Sequence, residues 1–317
     1  MRVLVTGATG FIGRTLCALL LGRGFEVRAA VRGSTPAMAE GIALARIDGI
    51  GPATAWSAAV SGVEAVVHLA GRAHVLGKAG ADEAARVRAV NVAGTVHLAR
   101  AAARAGVRRL VFLSTAKVHG ERNAGGPWTE QDPPAPEELY ARSKWEAELA
   151  LDVLARTSDL EVTVLRPPLV YGPHARANFL RLLRTVDRGL PIPLGAISNR
   201  RSLVYVGNLA DAIATCVAHP AAADRTFLVA DGEDVSTPEL VRRVAAALGR
   251  PARLVSAPVW MLRLGATLLG RGADFDRLAG DLAVDAGAIR RELGWQPPYT
   301  MRAGLEETAR WYRGLTG

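Results

Sequence analysis

The stretch TGATGFIG, residues 6–13, decides the fold of this chain. An apolar run at residues 2–6 precedes it and predicts a buried strand, and a helical periodicity follows it. Gly7 permits a tight turn, Gly10 lets a phosphate approach the backbone, and Gly13 allows the helix to pack closely on the strand. Because a helix that begins here offers free N–H groups and its positive dipole end, the stretch predicts a dinucleotide-binding turn.

Strand-like and helical segments alternate from this turn to Pro167. Short apolar runs predict strands, and longer segments with a period near 3.6 predict helices. The strands are expected at residues 25–31, 63–69, 107–114 and 160–165, and the helices at 84–105 and 137–157. This alternation predicts an α/β fold, a Rossmann-type doubly wound parallel sheet.

The pattern loosens after Pro167, where Pro, Gly and short helices dominate. Residues 202–219 and 226–230 are interpreted as a return to the main sheet, so we expect a smaller, discontinuous C-terminal substrate domain. It would lie over the carboxyl ends of the strands, where open α/β sheets bind ligands. The expected Rossmann domain comprises residues 1–166 plus about 202–230, and the expected substrate domain about 167–201 plus 231–317.

Composition narrows the classes of function. The chain has 317 residues, 50% of them hydrophobic, and a formal net charge of +9. The basic residues are scattered and form no long run, which argues against a nucleic-acid partner. Two cysteines, Cys17 and Cys216, cannot build a disulfide framework or a metal site by themselves, and they fit a reducing compartment.

No segment has the pattern of a secretion signal or a membrane span. The segment at residues 259–269 is apolar but is interrupted by Arg263, so it predicts a core or interface helix. We therefore expect a cytoplasmic protein with no membrane insertion.

Tyr140 and Lys144 are four residues apart on a predicted helix and so share one face. A free tyrosine has a pKa of about 10 and is a poor base at neutral pH. A neighbouring ammonium and the positive ring of an oxidised nicotinamide would lower that pKa. Tyr140 could then exchange a proton with a hydroxyl while hydride moves to or from the same carbon.

The end of the second predicted strand lacks an acid. An Asp or Glu there, about 20 residues after the turn, usually binds the ribose 2′-hydroxyl of NAD. Here Val31 and Arg32 stand instead. A guanidinium can grip a 2′-phosphate in a bidentate manner, so we favour NADP(H), with NAD(H) as the alternative. The other interpretation is that Arg32 is an ordinary solvated loop residue.

These motifs, in this order, resemble those of extended short-chain dehydrogenases of the NAD-dependent epimerase/dehydratase family. The run STAKVHG at residues 114–120 resembles the family segment that carries the catalytic hydroxyl, which falls on Thr115, with Ser114 as the alternative. The runs HLAG at 68–71, NVAGT at 91–95 and RPPLVYGP at 166–173 resemble three further motifs. The resemblance covers the whole chain and implies four catalytic residues: Thr115, Tyr140, Lys144 and Asn91.

The resemblance also implies two sets of binding residues and no metal. The cofactor set is Thr6, Gly7, Thr9, Gly10, Phe11, Ile12, Gly13, Arg32, Asp48, Leu69, Ala70, Gly71, Ser114, Tyr140, Lys144 and Pro167. The substrate set is Arg72, Lys117, Asn178, Arg200, Arg201, Arg277 and Asp281. One departure is Leu169, which stands where many members have an Asn that touches the substrate phosphates, and a leucine cannot donate that hydrogen bond.

The extended branch of this family mostly handles nucleotide-linked sugars, which implies the function. Residues 178–206 and 226–248 resemble bacterial reductases of the UDP-N-acetylquinovosamine type. We therefore favour NAD(P)-dependent reduction at C4 of a UDP-4-keto-6-deoxy-N-acetylhexosamine in polysaccharide precursor synthesis. The alternative is a UDP-sugar 4-epimerase with tightly bound NAD. A non-catalytic NADP-sensing or nucleic-acid-binding module is more remote, because such proteins usually lose the tyrosine or the lysine. A homodimer is compatible with this pattern.

Overall fold

The computed structural model describes residues 1–33, 38–73, 80–123, 125–175 and 177–316. The strands are β1 Arg2–Thr6, β2 Glu26–Val31, β3 Ala43–Arg46, β4 Ala65–His68, β5 Arg109–Leu113, β6 Glu161–Arg166, β7 Leu169–Tyr171, β8 Arg201–Tyr205, β9 Thr226–Leu228 and β10 Asp234–Val235. The helices are α1 Phe11–Gly22, α2 Ser57–Val60, α3 Ala81–Arg88, α4 Thr95–Arg104, α5 Leu139–Arg156, α6 Ala177–Asp187, α7 Val206–Ala218, α8 Thr237–Leu248, α9 Val259–Leu268, α10 Gly272–Ala279, α11 Gly287–Leu293 and α12 Met301–Thr316.

A seven-stranded parallel sheet in the order β3-β2-β1-β4-β5-β6-β9 forms the larger part of the molecule. Alternate side chains of β1 enter opposite cores, as the pleat of a strand requires: Val3 and Val5 pack on the side of α1 and α7, and Leu4 on the side of α4 and α5. Both faces are covered by helices, so the predicted Rossmann-type α/β class is confirmed.

A second, three-stranded sheet, in the order β10-β8-β7, lies with α6, α8 and α12 around a separate apolar cluster. The tyrosines Tyr171 and Tyr205 pair across β7 and β8 and are buried in this cluster. The expected return to the main sheet is correct for β9 and wrong for β8. The sequence of β8 is apolar enough to fit either sheet. Its partner is β7, the strand that follows the two prolines after β6.

Two helical predictions also need correction. The expected helix at 84–105 is interrupted by a π-helical segment, Ala89–Gly94, between α3 and α4. The segment at 259–269 forms α9, and none of its residues is buried, so the core alternative is wrong and the interface alternative stays a prediction. A segment that is apolar on nearly all sides, as 259–269 is, predicts a helix but does not say which face turns inward. None of the described helices is long and apolar enough to cross a bilayer.

Candidate active site

The glycine turn between β1 and α1 has the tight geometry that its sequence predicts. Gly7 has a φ of +70°, and a Cβ on Gly13 would lie 2.1 Å from the Gly7 carbonyl oxygen. Helix α1 begins after Gly10, whose backbone is extended and supplies no side-chain cap. The first N–H groups of α1 therefore point into the turn without a protein partner among the described residues. This arrangement fits the diphosphate of a dinucleotide.

The carboxyl ends of β2 and β3 carry two cations. Arg32 is exposed, and its guanidinium makes no hydrogen bond or ion pair within the described part of the chain. Arg46, paired with Val31 across the strands, donates to the Gly33 carbonyl over 3.0 Å. Asp48 lies two residues beyond β3 and is exposed. The end of β2 thus presents positive charge where an NAD-binding acid would stand.

A buried histidine, whose role the sequence did not reveal, connects the turn to the catalytic segment. His68 Nδ1 lies 2.6 Å from Thr6 Oγ1, and His68 Nε2 lies 2.9 Å from Thr95 Oγ1. Burial, and then the charge of Lys144, lowers the pKa of His68 to about 3, so the ring is neutral. Thr95 Oγ1 donates to the Asn91 carbonyl, which makes His68 Nε2 the protonated nitrogen.

The hydroxyl of Thr6 is therefore committed to the interior. It donates to His68 and accepts from the Ala70 N–H over 3.3 Å. A Cβ on Gly7 would lie 2.9 Å from the same Ala70 nitrogen, so the run after β4 lies directly beside the glycine turn. Leu69 and Gly71 flank Ala70; Leu69 is partly buried and Gly71 is exposed. The structure brings these residues together, but the Thr6 side chain faces away from the turn's free N–H groups.

Asn91 ties the π-helical segment to the start of α5. Its Nδ2 donates to Ser143 Oγ over 2.9 Å, and its Oδ1 accepts from the Arg72 N–H over 2.7 Å. Ser143 Oγ in turn donates to the Tyr140 carbonyl over 2.7 Å. Asn91 thereby holds the backbone that carries Tyr140.

Tyr140 and Lys144 stand on one face of α5, next to β5. Tyr140 is half-buried, and burial raises its pKa to about 12. Lys144 is buried with its Nζ 3.9 Å from the centre of the Phe112 ring, and burial lowers its pKa to about 7, against the opposing charge of Glu148. The described groups around Tyr140 thus leave its pKa raised, and burial is the cause.

The two neighbouring hydroxyls after β5 have different partners. Ser114 Oγ donates to Glu148, inside a buried network in which Arg166 binds the same carboxylate. Thr115 Oγ1 accepts from the Lys117 N–H over 3.3 Å, which leaves its own proton available to another acceptor. The side chain of Thr115, and not that of Ser114, is therefore placed to serve a ligand.

Two cations predicted to bind substrate are paired with carboxylates. Lys117 Nζ lies 2.9 Å from Glu138 Oε2 and 3.0 Å from Glu121 Oε2, and Arg277 lies 3.2 Å from Glu138 Oε1. Burial raises the pKa of Glu121, against the pull of Lys117. Glu121 and Glu138 were not among the residues predicted from the sequence, although Glu121 directly follows the hydroxyl-bearing run and Glu138 directly precedes α5.

Three further substrate candidates lie in the C-terminal part of the chain. Arg201 donates to the Arg277 carbonyl over 2.8 Å, whereas exposed Arg200 pairs with Asp234 at 2.7 Å. Asp281 accepts from the Arg200 N–H over 2.7 Å.

Arg72 and Asn178 lie apart from this group. Arg72 pairs with Glu83 at 2.8 Å. Asn178 is exposed in the first turn of α6, and Leu169 is 41% exposed on β7. Pro167 is buried, and its carbonyl accepts from the Ala116 N–H over 2.8 Å.

A cleft of about 580 Å³ opens beside these groups. It is lined by Arg122, Asn123, Glu137, Ile197, Ser198, Asn199, Val259, Ala279, Gly280 and Asp281. Asp281 is the predicted substrate residue that lines it, and Thr115, Tyr140 and Lys144 do not. Glu137 stands three residues before Tyr140, so the cleft adjoins the start of α5 rather than the reacting groups.

Known proteins show the same organisation. Residues 3–230 match the model of the NAD dependent epimerase/dehydratase family. Over 310 residues the chain is 43% identical to a UDP-glucose 4-epimerase of Vibrio cholerae, covering 97% of this chain and 94% of that protein. A UDP-glucose 4-epimerase of Thermus thermophilus in complex with NAD is 28% identical with a TM-score of 0.79 and covers 99% of both chains. MoeE5 in complex with UDP-glucose and NAD is 27% identical with a TM-score of 0.79 over 100% of both chains. The chain therefore belongs to the NAD dependent epimerase/dehydratase family, as the order of its motifs predicts.

Proposed function

We propose that the protein is a UDP-hexose 4-epimerase that uses a nicotinamide dinucleotide held at the glycine turn. The observation that carries this proposal is the 43% identity, over almost the full length of both chains, to a UDP-glucose 4-epimerase. It is supported by the Tyr140–Lys144 pair on α5 and by the Thr115 hydroxyl that follows β5. The sequence motifs favour a C4 reductase, with the epimerase as the alternative. The comparisons support the alternative better.

The residues at the turn fit such a cofactor. Gly7 and Gly13 leave no room for a Cβ, and the uncapped first turn of α1 offers N–H groups to a diphosphate. Leu69, Ala70 and Gly71 would line the same ligand, and Lys144 would reach its nicotinamide ribose. Such a cofactor would supply a hydride acceptor and donor next to the sugar.

Tyr140 would hold and move the proton at the sugar 4-hydroxyl. With a pKa raised to about 12 it is protonated at neutral pH, and so it is ready to donate to an alkoxide oxygen. Taking that proton requires nearby positive charge to stabilise the phenolate. Lys144 supplies such charge only while protonated, and the Glu148 carboxylate raises its pKa against the effect of burial. Thr115 would donate to the reacting oxygen.

A C4 reductase is the second candidate, favoured by one observation. Arg32 is unpaired in the described part of the chain at the end of β2, where it could grip a 2′-phosphate, and NADPH is the usual reductant of biosynthetic reductases. Preference for NADP(H) is therefore part of this candidate. An epimerase instead keeps NAD in place through its catalytic cycle.

Incubation of the purified protein with UDP-galactose and, separately, UDP-N-acetylgalactosamine tests the proposal. The epimerase converts one of them to its 4-epimer without net consumption of cofactor, and Tyr140→Phe does not. Stoichiometric consumption of NADPH with UDP-4-keto-6-deoxy-N-acetylglucosamine, with neither UDP-sugar converted, would establish the reductase instead.

We also propose the domain division, the cellular location and the homodimer expected from the sequence. Residues 1–166 with about 202–230 would hold the cofactor, although β8 pairs outside the main sheet. A cytoplasmic location agrees with two buried free cysteines. A homodimer through α5 agrees with Leu149 and Val153, which are 49% and 62% exposed, and sedimentation velocity would measure it.

A further inference from the structure

Helix α9 turns its large apolar side chains outward. Trp260 is 67% exposed, Leu264 54% and Leu268 79%, and these three residues repeat every four positions along one face of the helix. Met261 on the adjacent position is 51% exposed, and Leu269 just beyond the helix is 79% exposed. A helix at a protein surface normally shows the opposite arrangement, with its apolar face on the core.

The inner face of α9 is formed by Leu262, Gly265 and Ala266, which are its partly buried residues. Helix α9 packs on α10. Arg263 joins the two helices through an ion pair with Asp276 at 3.1 Å. The helix is therefore held by its narrow inner side, and the outward apolar face is not left over from a missing contact with α10.

Arginine is the charged residue type of the segment that carries α9, and Asp274 and Asp276 follow this segment on α10. Residues 240–273 contain six arginines and no acidic residue. Arg242, Arg243, Arg250 and Arg263 form ion pairs with acids outside this range.

Arg253 and Arg271 are different. They stand before and after α9, and no ion pair or side-chain hydrogen bond joins them to described residues. A symmetric contact between two copies would bring this same charge against itself, whereas a negatively charged surface would neutralise it.

We propose that α9 docks on the surface of an anionic lipid bilayer. A helix of ten residues with Trp and Leu on one face and Arg at its borders can lie in the plane of the interface, its apolar face among the acyl chains and the tryptophan at the headgroup level. Val259, in the first turn of α9, lines the cleft described above. Docking would hold the mouth of that cleft at the membrane surface. The proposal does not depend on which sugar the enzyme converts.

The test is co-sedimentation of the full-length protein with vesicles of phosphatidylglycerol and phosphatidylcholine in equal parts, and with vesicles of phosphatidylcholine alone. The protein should bind the anionic vesicles, less at higher NaCl concentration, and only weakly the neutral ones. Binding should shift the tryptophan emission to the blue, and Trp260→Phe should remove that shift while sedimentation persists.

Two variants and a control separate the contributions. Leu268→Glu should lower the vesicle partition coefficient about tenfold or more, since it puts a charge on the apolar face. Arg271→Gln should lower it about fivefold, on anionic vesicles only. Leu315→Glu, an equally charged change at a 61% exposed leucine on α12, should leave it unchanged.

Three results would overturn the proposal. One is absence of binding to anionic vesicles by the wild-type protein. Another is an equal loss of vesicle binding in Leu268→Glu and Leu315→Glu. The third is a wild-type oligomer, seen by sedimentation velocity without lipid, that Leu268→Glu dissociates; the face would then be a subunit interface.

Discussion

Replacement of Gly13 by alanine is the most direct perturbation of the glycine turn. The added Cβ would meet the Gly7 carbonyl oxygen at 2.1 Å and the Ala8 Cα at 2.7 Å, both backbone atoms. The first distance is roughly 1 Å inside ordinary van der Waals contact, so α1 must move away from β1. Overpacking of this kind costs about 1–3 kcal/mol in the free energy of unfolding.

The same displacement should weaken the cofactor site. The N–H groups that would face a diphosphate belong to the first turn of α1, and a shift of this size weakens their hydrogen bonds. We expect Gly13→Ala to lower Tm by several degrees and to raise the Kd for NAD(H) or NADP(H) at least about tenfold. Thermal unfolding and calorimetric titration measure the two effects.

Gly22→Ala is the matched control on the same helix. A Cβ on Gly22 would meet no atom within 4 Å, and the residue closes α1 far from the turn. Gly22→Ala should leave the Kd for the cofactor unchanged and raise the free energy of unfolding by up to ~1 kcal/mol. If Gly13→Ala binds the cofactor as tightly as Gly22→Ala does, the close packing of α1 on the turn is not what forms the site.

Three further predictions concern single side chains. Tyr140→Phe should lower turnover at least about 10²-fold with little change in cofactor affinity. Steady-state kinetics and a cofactor titration measure the two effects, and turnover that persists in the variant would contradict the prediction. Arg32→Ala should weaken NADPH far more than NADH if Arg32 binds a 2′-phosphate, and equal losses in titrations would make it a bystander. Lys144→Met should raise the free energy of unfolding relative to wild type at pH 7, and this gain should shrink as pH rises toward the ordinary lysine pKa of 10.5. The reason is that folding lowers the pKa of Lys144 to about 7, so the unfolded chain binds its proton more tightly across that pH window; denaturant titrations that show a constant difference would refute it.

The features that sequence could predict are those in which spacing alone determines geometry. The interval from Gly7 to Gly13 dictates a close approach of α1 to the turn, and the structure has it. The interval from Tyr140 to Lys144 places both on one face of α5. Strand alternation likewise predicts the parallel sheet, because continuous apolar runs must be covered on both faces.

Other features depend on partners that are distant in the chain. Lys117 and Arg277 look like free cations in the sequence, but both meet the carboxylate of Glu138. The hydrogen bonds of His68 join Thr6 and Thr95, each far from it in sequence, and no local pattern encodes them. The pKa of Tyr140 follows from burial, which a motif does not report.

The fate of hydrogen at C4 tests the proposed reaction most directly. The purified protein is incubated with UDP-galactose carrying deuterium at C4, and the products are separated and examined by mass spectrometry and proton NMR. An epimerase that returns the same hydrogen to the same carbon yields UDP-glucose with the deuterium retained at C4. Formation of UDP-glucose that has lost the deuterium, or no product from any UDP-hexose while NADPH is consumed with a 4-keto sugar, would contradict the account.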